Sequence, residues 1–269
     1  MQVRVVLVRF ILVTAILLSL PLLNVATISI TAAQRLPDAI QDRLAELENK
    51  AQRLPDRLQD RLPELEIKTF VDYKRSPPQA QHQGRSGDVC GDGSTSYRTF
   101  GGIKWRSYPV LYYIDTSGIS RIDPSIAKRA VIGAFNEIDR EEHPPGRFFS
   151  QVAGASNADI KVRWGYLDGS GNAIAETTFW YDISTGTIEY AEIVFDRSER
   201  WNVLSGLRCS GRAGSPFDIQ NIAVHEIGHA IGLDHVSDIR LTMYPSSAPG
   251  ETLKRSLGIG DQRGIDRLY

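Results

Sequence analysis

The 269-residue sequence contains little cysteine and has no excess of either charge. Its two cysteines, Cys90 and Cys209, are too few for a fold built on disulfides or for a four-cysteine zinc site. Lys and Arg total 31 and Asp and Glu total 32, so a net charge of −1 draws the protein neither to nucleic acid nor to an acidic membrane surface. The hydrophobic share of 42% can supply a packed core, which excludes a wholly disordered or fibrous protein.

The N-terminal end of the chain has the three-part pattern of a secretory signal peptide. Arg4 lies ahead of an apolar segment, and small residues lead to a cleavage site that we place after Ala33. The alternative is an uncleaved membrane anchor, because residues 5–23 are nearly long enough to span a bilayer, although Pro21 argues against it. We therefore expect residues 1–33 to be removed and the remaining chain to be secreted, with no membrane attachment after cleavage.

Residues 34–51 and 52–69 are two similar copies of an 18-residue sequence. Eighteen residues make about five helical turns, so the large aliphatic residues of each copy fall on one stripe of an amphipathic helix. Pro63 is expected to kink or end the second helix. The stripe leaves two interpretations of residues 34–69 open: a pro-segment that docks on the domain downstream, or a charged spacer or self-associating arm. Residues 74–88 are polar and rich in proline and glycine, which predicts a linker.

The rest of the chain mixes strands and helices without strict alternation, which predicts an α+β domain. Asp123, followed by proline, predicts the start of a helix whose apolar face includes Ile126. Alternating apolar residues predict strands, and two of these flank a Ser-Thr-Gly turn typical of a hairpin. The predicted strands lie at 109–115, 159–164, 173–182 and 187–196.

The sequence thus divides into three regions. These are a signal peptide (1–33), a repeat and linker that form a candidate pro-segment (34–88), and a catalytic domain (89–269).

One stretch carries the residues of a metal site. Residues 218–231 are predicted to form a helix, and within it His225 and His229 are four residues apart, hence on one face and able to bind one metal ion. Gly232 can adopt the left-handed conformation that ends a helix. The chain can then turn back and deliver His235 as a third ligand.

The fourth position of such a site stays open. Three neutral imidazoles around a tetrahedral zinc leave one position for water, which is the arrangement of a catalytic zinc rather than a closed structural one. Glu226 is rotated by about 100° from His225, so it can face that water instead of binding the metal. A single histidine on an apolar helix is usually an ordinary core residue, but here three of the five histidines of the chain fall within one short motif.

The motif resembles the zinc signature of the metzincin peptidases, and within them that of the matrixins. It runs from His225 to His235, and the sequence Met-Tyr-Pro that begins at Met243 is similar to the methionine turn of the family. Weaker similarities extend the resemblance over residues 98–269. The resemblance implies a metzincin-like catalytic domain with a twisted mixed sheet, a zinc-bearing active-site helix and a Met-turn. Met243 would lie beneath the zinc without binding it.

The resemblance also implies a secreted zinc endopeptidase that acts on extended protein substrates. Zinc lowers the pKa of its water toward ~7 and polarises the scissile carbonyl, while Glu226 takes the proton and returns it to the leaving amine. By resemblance, Pro245 borders the pocket for the residue after the cleaved bond, and a strand near residues 173–178 pairs with the substrate backbone. The alternative is a catalytically silent, zinc-bound binding module; because such a module needs no base, Glu226 favours the enzyme.

Two departures from the matrixin pattern concern the metal content and the specificity pocket. Glu176 and Val194 stand where matrixins typically hold histidines for a second, structural zinc, so we expect one zinc. Val236 replaces the serine that usually follows the third histidine, and Ser247 stands where a pocket-wall tyrosine is common. The preferred residue after the cleaved bond therefore does not follow from the family.

A calcium site is the second metal site that the resemblance implies. Carboxylate oxygens and a turn permitted by glycine are suited to Ca²⁺. The alternative is an ordinary Asp-Gly turn with surface carboxylates. The candidate calcium ligands are Asp168, Asp196 and Glu199.

Cys90 has two interpretations that exclude each other. It lies about as far ahead of Trp105 as the cysteine that blocks the zinc in matrixin zymogens, and a thiolate could fill the open zinc position. Its neighbours lack the residues that accompany that switch. A disulfide with Cys209 is therefore the favoured interpretation, since the exported chain has one pair of cysteines.

Overall fold

The computed structural model describes residues 38–76, 93–140 and 147–269. A boundary in the sequence between Leu65 and Glu66 divides the chain into two compact units. Among the described helices, none is both long and apolar enough to cross a membrane. The signal peptide predicted at 1–33, the linker residues 77–88 and Cys90 lie outside the described residues.

The first unit contains the repeat as far as Leu65, and only the first copy forms the predicted helix. Helix α1 spans Asp38–Gln52, and a short helix α2 spans Asp56–Gln59. The Gln59 amide donates to the carbonyl oxygens of Ala51 and Leu54, at 3.1 and 2.7 Å, and so satisfies acceptors at the end of α1. The prediction of a second helix is wrong beyond Gln59, because a 3₁₀ turn over Leu62–Glu64 follows and a strand begins at Leu65.

Proline accounts for this break in the second copy. Pro63 lies inside the 3₁₀ turn, where it offers no backbone N–H and disfavours the helical conformation of the residue before it. Residues 65–74 then have a β-branched or aromatic residue at several positions, which favours a strand. The predicted amphipathic stripe is therefore divided between a helix and a strand.

A mixed sheet forms the centre of the second unit, Glu66–Tyr269. Its strands are β1 (Leu65–Lys74), β2 (Val110–Asp115), β3 (Phe149–Gln151), β4 (Ile160–Gly165), β5 (Ala173–Asp182), β6 (Thr187–Asp196) and β9 (Ser246–Ser247), and a separate parallel pair is formed by β7 (Trp201–Asn202) and β8 (Phe217–Asp218). The order of the strands in the sheet is β3-β2-β4-β6-β5-β1-β9. Most neighbours are parallel, and β5 and β6 form the antiparallel hairpin that the sequence predicts, with the predicted bounds.

Strand β1 lies between β5 and β9, a position that the sequence analysis does not predict. It runs parallel to β9, with Tyr73 opposite Ser246 and Lys74 opposite Ser247. Its contacts with β5 proceed in opposite directions along the two strands, so β1 is antiparallel to β5. These contacts are the hydrogen bonds of Glu66 with Tyr181, of Thr69 with Thr178, and of the Lys74 amide with the Asn172 carbonyl oxygen.

Two helices pack together beside the sheet and position the metal centre. Helix α3 spans Pro124–Asp139 and begins, as predicted, at Asp123, whose carboxylate accepts a hydrogen bond from the Ser125 amide. Ile126 was expected on its apolar face but is 38% exposed; Ala127 and Val131 are buried instead. Helix α4 (Ile219–Ala230) packs against α3 and against β5 and β6, and the C-terminal helix α5 covers Ile259–Leu268.

Candidate metal centre

Helix α4 is held firmly at its start by Asp218. One oxygen of the Asp218 carboxylate accepts a hydrogen bond from the Asn221 amide at 2.9 Å, as expected of an N-cap residue. The Arg255 guanidinium pairs with the same carboxylate, with an Nε to Oδ1 distance of 2.8 Å. These contacts fix the start of the helix that carries two of the three predicted metal ligands.

Helix α4 ends at Ala230, and Gly232 follows two residues later. Gly232 has a φ of 99°, which favours glycine, and a Cβ atom there would lie 2.2 Å from the Ile103 carbonyl oxygen. The Phe100 amide donates to the Gly232 carbonyl oxygen at 2.9 Å. This close approach of two backbone segments turns the chain so that His235 faces the helix.

The three predicted histidines converge. The Nε2 atom of His229 lies 3.1 Å from that of His225 and 3.0 Å from that of His235. The Nδ1 atoms of His225 and His229 lie 2.6 and 2.9 Å from the carbonyl oxygens of Thr242 and Leu233. A carbonyl oxygen only accepts, so each Nδ1 carries the proton and each Nε2 presents a lone pair. These two lone pairs, with the Nε2 atom of His235 beside them, fit a divalent metal such as zinc.

The electrostatic surroundings favour neutral imidazoles. Burial lowers the pKa of His225 and His229 well below the usual value, and the Lys254 ammonium lowers the pKa of His225 further. Burial also lowers the pKa of His235, to about 4. Neutral imidazole is the form that binds a metal ion, so the site is set for metal at neutral pH.

Glu226 is fully buried beside the histidines. Its Oε2 atom accepts a hydrogen bond of 2.5 Å from the Thr177 hydroxyl, whereas its Oε1 atom has no hydrogen-bond partner among the described residues. Burial raises the pKa of Glu226 well above its usual range, and the charge of Asp72 raises it further. The carboxylate is thus oriented on one side and open on the other, which suits a base that takes a proton from water.

Met243 packs against helix α4 at Gly228. It is buried, and a Cβ atom at Gly228 would lie 2.4 Å from its sulfur. The amides of Thr242 and Met243 donate to the two carboxylate oxygens of Asp261 at 2.8 and 3.2 Å. Helix α5 therefore holds the turn that positions the apolar floor of the site.

Strand β1 crosses the histidine cluster. The Phe70 ring stacks on the His229 ring, with centroids 4.1 Å apart and an angle of 5° between the planes. A carboxylate oxygen of Asp72 lies within 4.8 Å of potential ligand atoms of His225 and Glu226. Sequence reasoning missed both contacts, although the alternation that follows Pro63 places Phe70 and Asp72 on one face of a strand.

Asp72 is fully buried, and the charges of other side chains act on its carboxyl group. Its Oδ2 atom accepts a hydrogen bond of 2.9 Å from the Ser247 hydroxyl, and its Oδ1 atom has no partner among the described residues. Burial raises the pKa of Asp72 to about 6, while the Lys254 ammonium acts in the opposite direction. Lys254 is itself fully buried and donates to the Tyr244 carbonyl oxygen at 2.6 Å; no motif in the sequence indicated its position.

Comparison with known proteins identifies the family. A family model for the matrixins matches residues 104–269, which is more than half of the chain. This chain belongs to the matrixin family. The resemblance seen in the sequence and the expected metzincin-like α+β fold are confirmed.

Several curated proteins are similar to this matrixin. Metalloendoproteinase 1 of Glycine max is 48% identical over 75 residues, which cover 28% of this chain and 24% of that protein. Metalloendoproteinase 1-MMP of Arabidopsis thaliana is 32% identical over 127 residues, covering 45% and 32% of the two chains. Human Matrilysin is 32% identical over 173 residues, covering 62% and 58%. The chain thus spans less than two thirds of the length of each of these relatives.

The candidate calcium ligands of this matrixin are engaged elsewhere. The Asp168 carboxylate accepts from two backbone amides, Asp196 accepts from the Asp168 amide among others, and Glu199 pairs with the Lys74 ammonium at 2.6 Å. The three residues do not form one of the groups of potential metal ligands found among the described residues. Calcium binding stays a prediction.

Four further residues that the sequence analysis singled out lie in the sheet, beside the cleft or in the core. Glu176 and Val194, which the resemblance aligns with the histidines of a second matrixin zinc, are opposite each other in strands β5 and β6. Pro245 borders the cleft, where its carbonyl oxygen accepts from the Tyr73 amide at 3.4 Å. Cys209 is buried and is not a free thiol, but Cys90 lies outside the described residues, so their pairing stays a prediction.

Proposed function

We propose that this matrixin is a secreted zinc-dependent endopeptidase whose ligands are His225, His229 and His235. The observation that carries the proposal is the convergence of the three Nε2 atoms, because that of His229 lies 3.1 Å from that of His225 and 3.0 Å from that of His235. Zinc held there would supply Lewis acidity, which polarises a peptide carbonyl and acidifies water. The secretory pattern of residues 1–33 supports export.

Glu226 is the base of the proposed reaction. The Thr177 hydroxyl holds one oxygen of its carboxylate, and the other oxygen has no partner among the described residues and is available to a water molecule. The carboxyl takes the proton of that water and returns it to the leaving amine. A catalytically silent, zinc-bound binding module needs neither the Glu226 carboxyl nor the Thr177 hydroxyl that orients it. The placement of Glu226 therefore favours an enzyme over this alternative.

The substrate is an extended stretch of protein. Strand β5 offers a sheet edge at the site, and strand addition recognises a backbone regardless of most side chains. In the described structure β1 occupies this edge, with the Phe70 ring on His229. A substrate therefore needs β1 to leave.

We therefore propose that residues 34–88 are a pro-segment, and that β1 is its inhibitory part. Support comes from the position of β1, which pairs with the edge of β5 and covers a metal ligand. The alternative is that residues 34–69 associate with other copies of the chain, which predicts a concentration-dependent oligomer without a change in latency.

The test is digestion of casein by the purified chain from residue 34 and by the chain from residue 89, each loaded with zinc. We expect proteolysis that a chelator abolishes and that added zinc restores, and faster proteolysis by the shorter chain. Chelator-resistant digestion, or no digestion by either chain, would contradict the endopeptidase. Equal rates from the two chains would contradict the pro-segment alone.

A further inference from the structure

Strand β1 lies against the metal centre in the place that an extended substrate is proposed to take. It is antiparallel to β5 on one side and parallel to β9 on the other, so both of its edges are paired. The Phe70 ring stacks on His229, and the Asp72 carboxylate lies within 4.8 Å of a potential ligand atom of His225. The residues that follow Asp72 therefore occupy the part of the cleft on the C-terminal side of the metal centre.

The backbone in this part of the cleft is fixed from two sides. The Lys74 amide donates to the Asn172 carbonyl oxygen at 2.7 Å, ahead of β5, and the Arg75 amide donates to the Ser247 carbonyl oxygen at 2.8 Å, in β9. Consecutive amides thus bond to opposite walls, as in a strand inside a sheet. Main-chain bonds of this kind set the register of an extended peptide, so each of its side chains has a defined place.

The ammonium group of Lys74 contacts two side chains outside β1. It pairs with the Glu199 carboxylate at 2.6 Å, and it lies 5.9 Å from the centroid of the Phe217 ring. Both partners are buried. A cation gains from each contact, because the carboxylate is negative and so is the face of an aromatic ring. An uncharged side chain in this place would leave Glu199 without its counter-charge.

Arg75 reaches a carboxylate that is hidden from solvent. Its Nη2 atom lies 2.9 Å from the Oε2 atom of Glu251, whose side chain is fully buried. The Ala248 amide donates to the same oxygen at 2.9 Å, which fixes the carboxylate just after β9. The Oε1 atom of Glu251 has no hydrogen-bond partner among the described residues and can accept a further donor. A buried carboxylate without a cationic partner is costly, so this place favours a basic side chain.

We propose that Glu199 and Glu251 form two acidic subsites, so that this enzyme selects extended proteins with two consecutive basic residues a few positions beyond the cleaved bond, on its C-terminal side. The inference rests on the proposed endopeptidase function and specifies its substrate. Glu199 follows β6 and Glu251 follows β9, and these strands lie on different sides of β1 in the sheet. One pair of neighbouring basic residues can therefore engage both carboxylates.

The first test compares quenched fluorescent peptides with the sequence of residues 66–76. In three variants Gln replaces Lys74, Arg75 or, as the matched control, Tyr73, whose side chain is exposed. We expect loss of Arg75 to lower kcat/KM by about tenfold or more, because its partner is fully buried. Loss of Lys74, which is 30% exposed, should lower it by about threefold, and loss of Tyr73 should change it little.

The full chain is used for this test, because the ratio of two kcat/KM values does not depend on the fraction of molecules whose cleft is open. Mass spectrometry should place the cut beside positions 70–72, where β1 meets the histidines, and a chelator should abolish it. A contaminating protease specific for basic residues would cut beside positions 74–75 and survive the chelator. A chelator-sensitive cut outside 70–72 would overturn the register on which the subsites depend.

Two enzyme variants assign the preferences to the two carboxylates. Glu251→Gln should remove the preference at position 75 and keep that at position 74, whereas Glu199→Gln should do the reverse. Glutamine has the shape of glutamate, and at position 251 it retains an oxygen for the Ala248 amide. Asp266→Asn, an exposed change on helix α5, is the matched control and should keep both preferences.

The second test measures the subsites without cleavage. Fluorescence anisotropy gives the Kd of labelled peptides for the zinc-loaded full chain that carries Glu226→Gln. The peptide with Lys and Arg at positions 74 and 75 is compared with one that has Gln at both. We expect the basic peptide to bind about thirtyfold more tightly, the product of the two separate effects.

The outcomes of the two tests separate the two proposals. Equal cleavage of all the peptides, or preferences that neither Glu251→Gln nor Glu199→Gln removes, would overturn the acidic subsites and leave the endopeptidase standing. A preference at position 75 alone would overturn the role of Glu199. If no peptide is cleaved, the endopeptidase proposal fails, and the ratio of the two Kd values decides the subsites by itself. Equal Kd values would overturn them.

Discussion

Helix α4 and strand β1 both lie against the metal centre, but they are held in different ways. The ring nitrogens that α4 turns away from the centre bond to backbone carbonyl oxygens, and its first residue is capped by Asp218. Strand β1, by contrast, is attached by pairing with the edge of β5 and with the two residues of β9. Both elements contain buried polar atoms without a partner among the described residues, so the contrast lies in the way each element is attached.

The difference indicates that helix α4 and the turn after it are a fixed frame for the metal centre, whereas strand β1 is a peptide that can leave. Every predicted ligand sits where a packed element or a constrained turn fixes it, as at Gly232. Strand β1 is added at the edge of β5 and can be exchanged for another extended chain without dismantling the hairpin. Changes in α4 should therefore abolish activity, and changes in β1 should release it.

The largest expected effect comes from Glu226→Gln. The change removes the base but leaves His225, His229 and His235, so turnover should fall by about 10²–10⁴-fold while one zinc per chain remains bound. Peptide hydrolysis and metal analysis after extensive dialysis measure both quantities, with Glu64→Gln as an exposed control. Near wild-type turnover would contradict the role of Glu226, and two bound zincs would contradict the interpretation of Glu176 and Val194.

The next prediction asks whether Cys90 or β1 keeps the enzyme latent. If Cys90 pairs with Cys209, Cys90→Ser opens a loop of roughly 120 residues, which should lower stability by up to about 4–5 kcal/mol without raising specific activity. Thermal unfolding and a thiol titration of the denatured, unreduced protein check this. Two reactive thiols, together with activation by Cys90→Ser, would show a cysteine switch instead.

The frame of the site could be predicted from the sequence because its constraints are local. The four-residue spacing of His225 and His229, and the glycine that ends their helix, are properties of one short segment. The hairpin at 173–196 was likewise predicted with its observed bounds, since its turn and alternation are local.

Strand β1 and the contacts of Asp72 could not be predicted in the same way. Asp72 and Ser247 are 175 positions apart in the sequence, and only the fold brings them together. The leucine repeat masked the strand, because a helical stripe and an alternating pattern overlap between Leu62 and Thr69. Pro63 was the signal that favoured the strand over a continued helix.

Phe70→Ala tests the removable strand directly. It removes the ring that stacks on His229, and loss of a buried aromatic side chain weakens docking of β1 enough to raise the activity of the full chain by about tenfold. Tyr73→Ala, at an exposed position of the same strand, should raise it far less. Peptide hydrolysis at equal concentrations of folded protein measures both. An unchanged or reduced rate for Phe70→Ala would show that β1 does not limit access to the site.

The smallest expected effect concerns the hydrogen bond between Thr177 of strand β5 and the carboxylate of Glu226. Thr177→Val keeps the shape of the side chain but removes the 2.5 Å hydrogen bond that orients the Glu226 carboxylate, so kcat should fall by about tenfold with little change in KM. Thr177→Ser retains a hydroxyl and should recover most of the loss. Thr178→Val is the matched control, because the Thr178 hydroxyl bonds to Glu176 and Thr69 rather than to Glu226. Equal losses of kcat in Thr177→Val and Thr178→Val would contradict this role of Thr177. Strand β5 would then not position the Glu226 carboxylate, and helix α4 with the turn that follows it would hold the site alone.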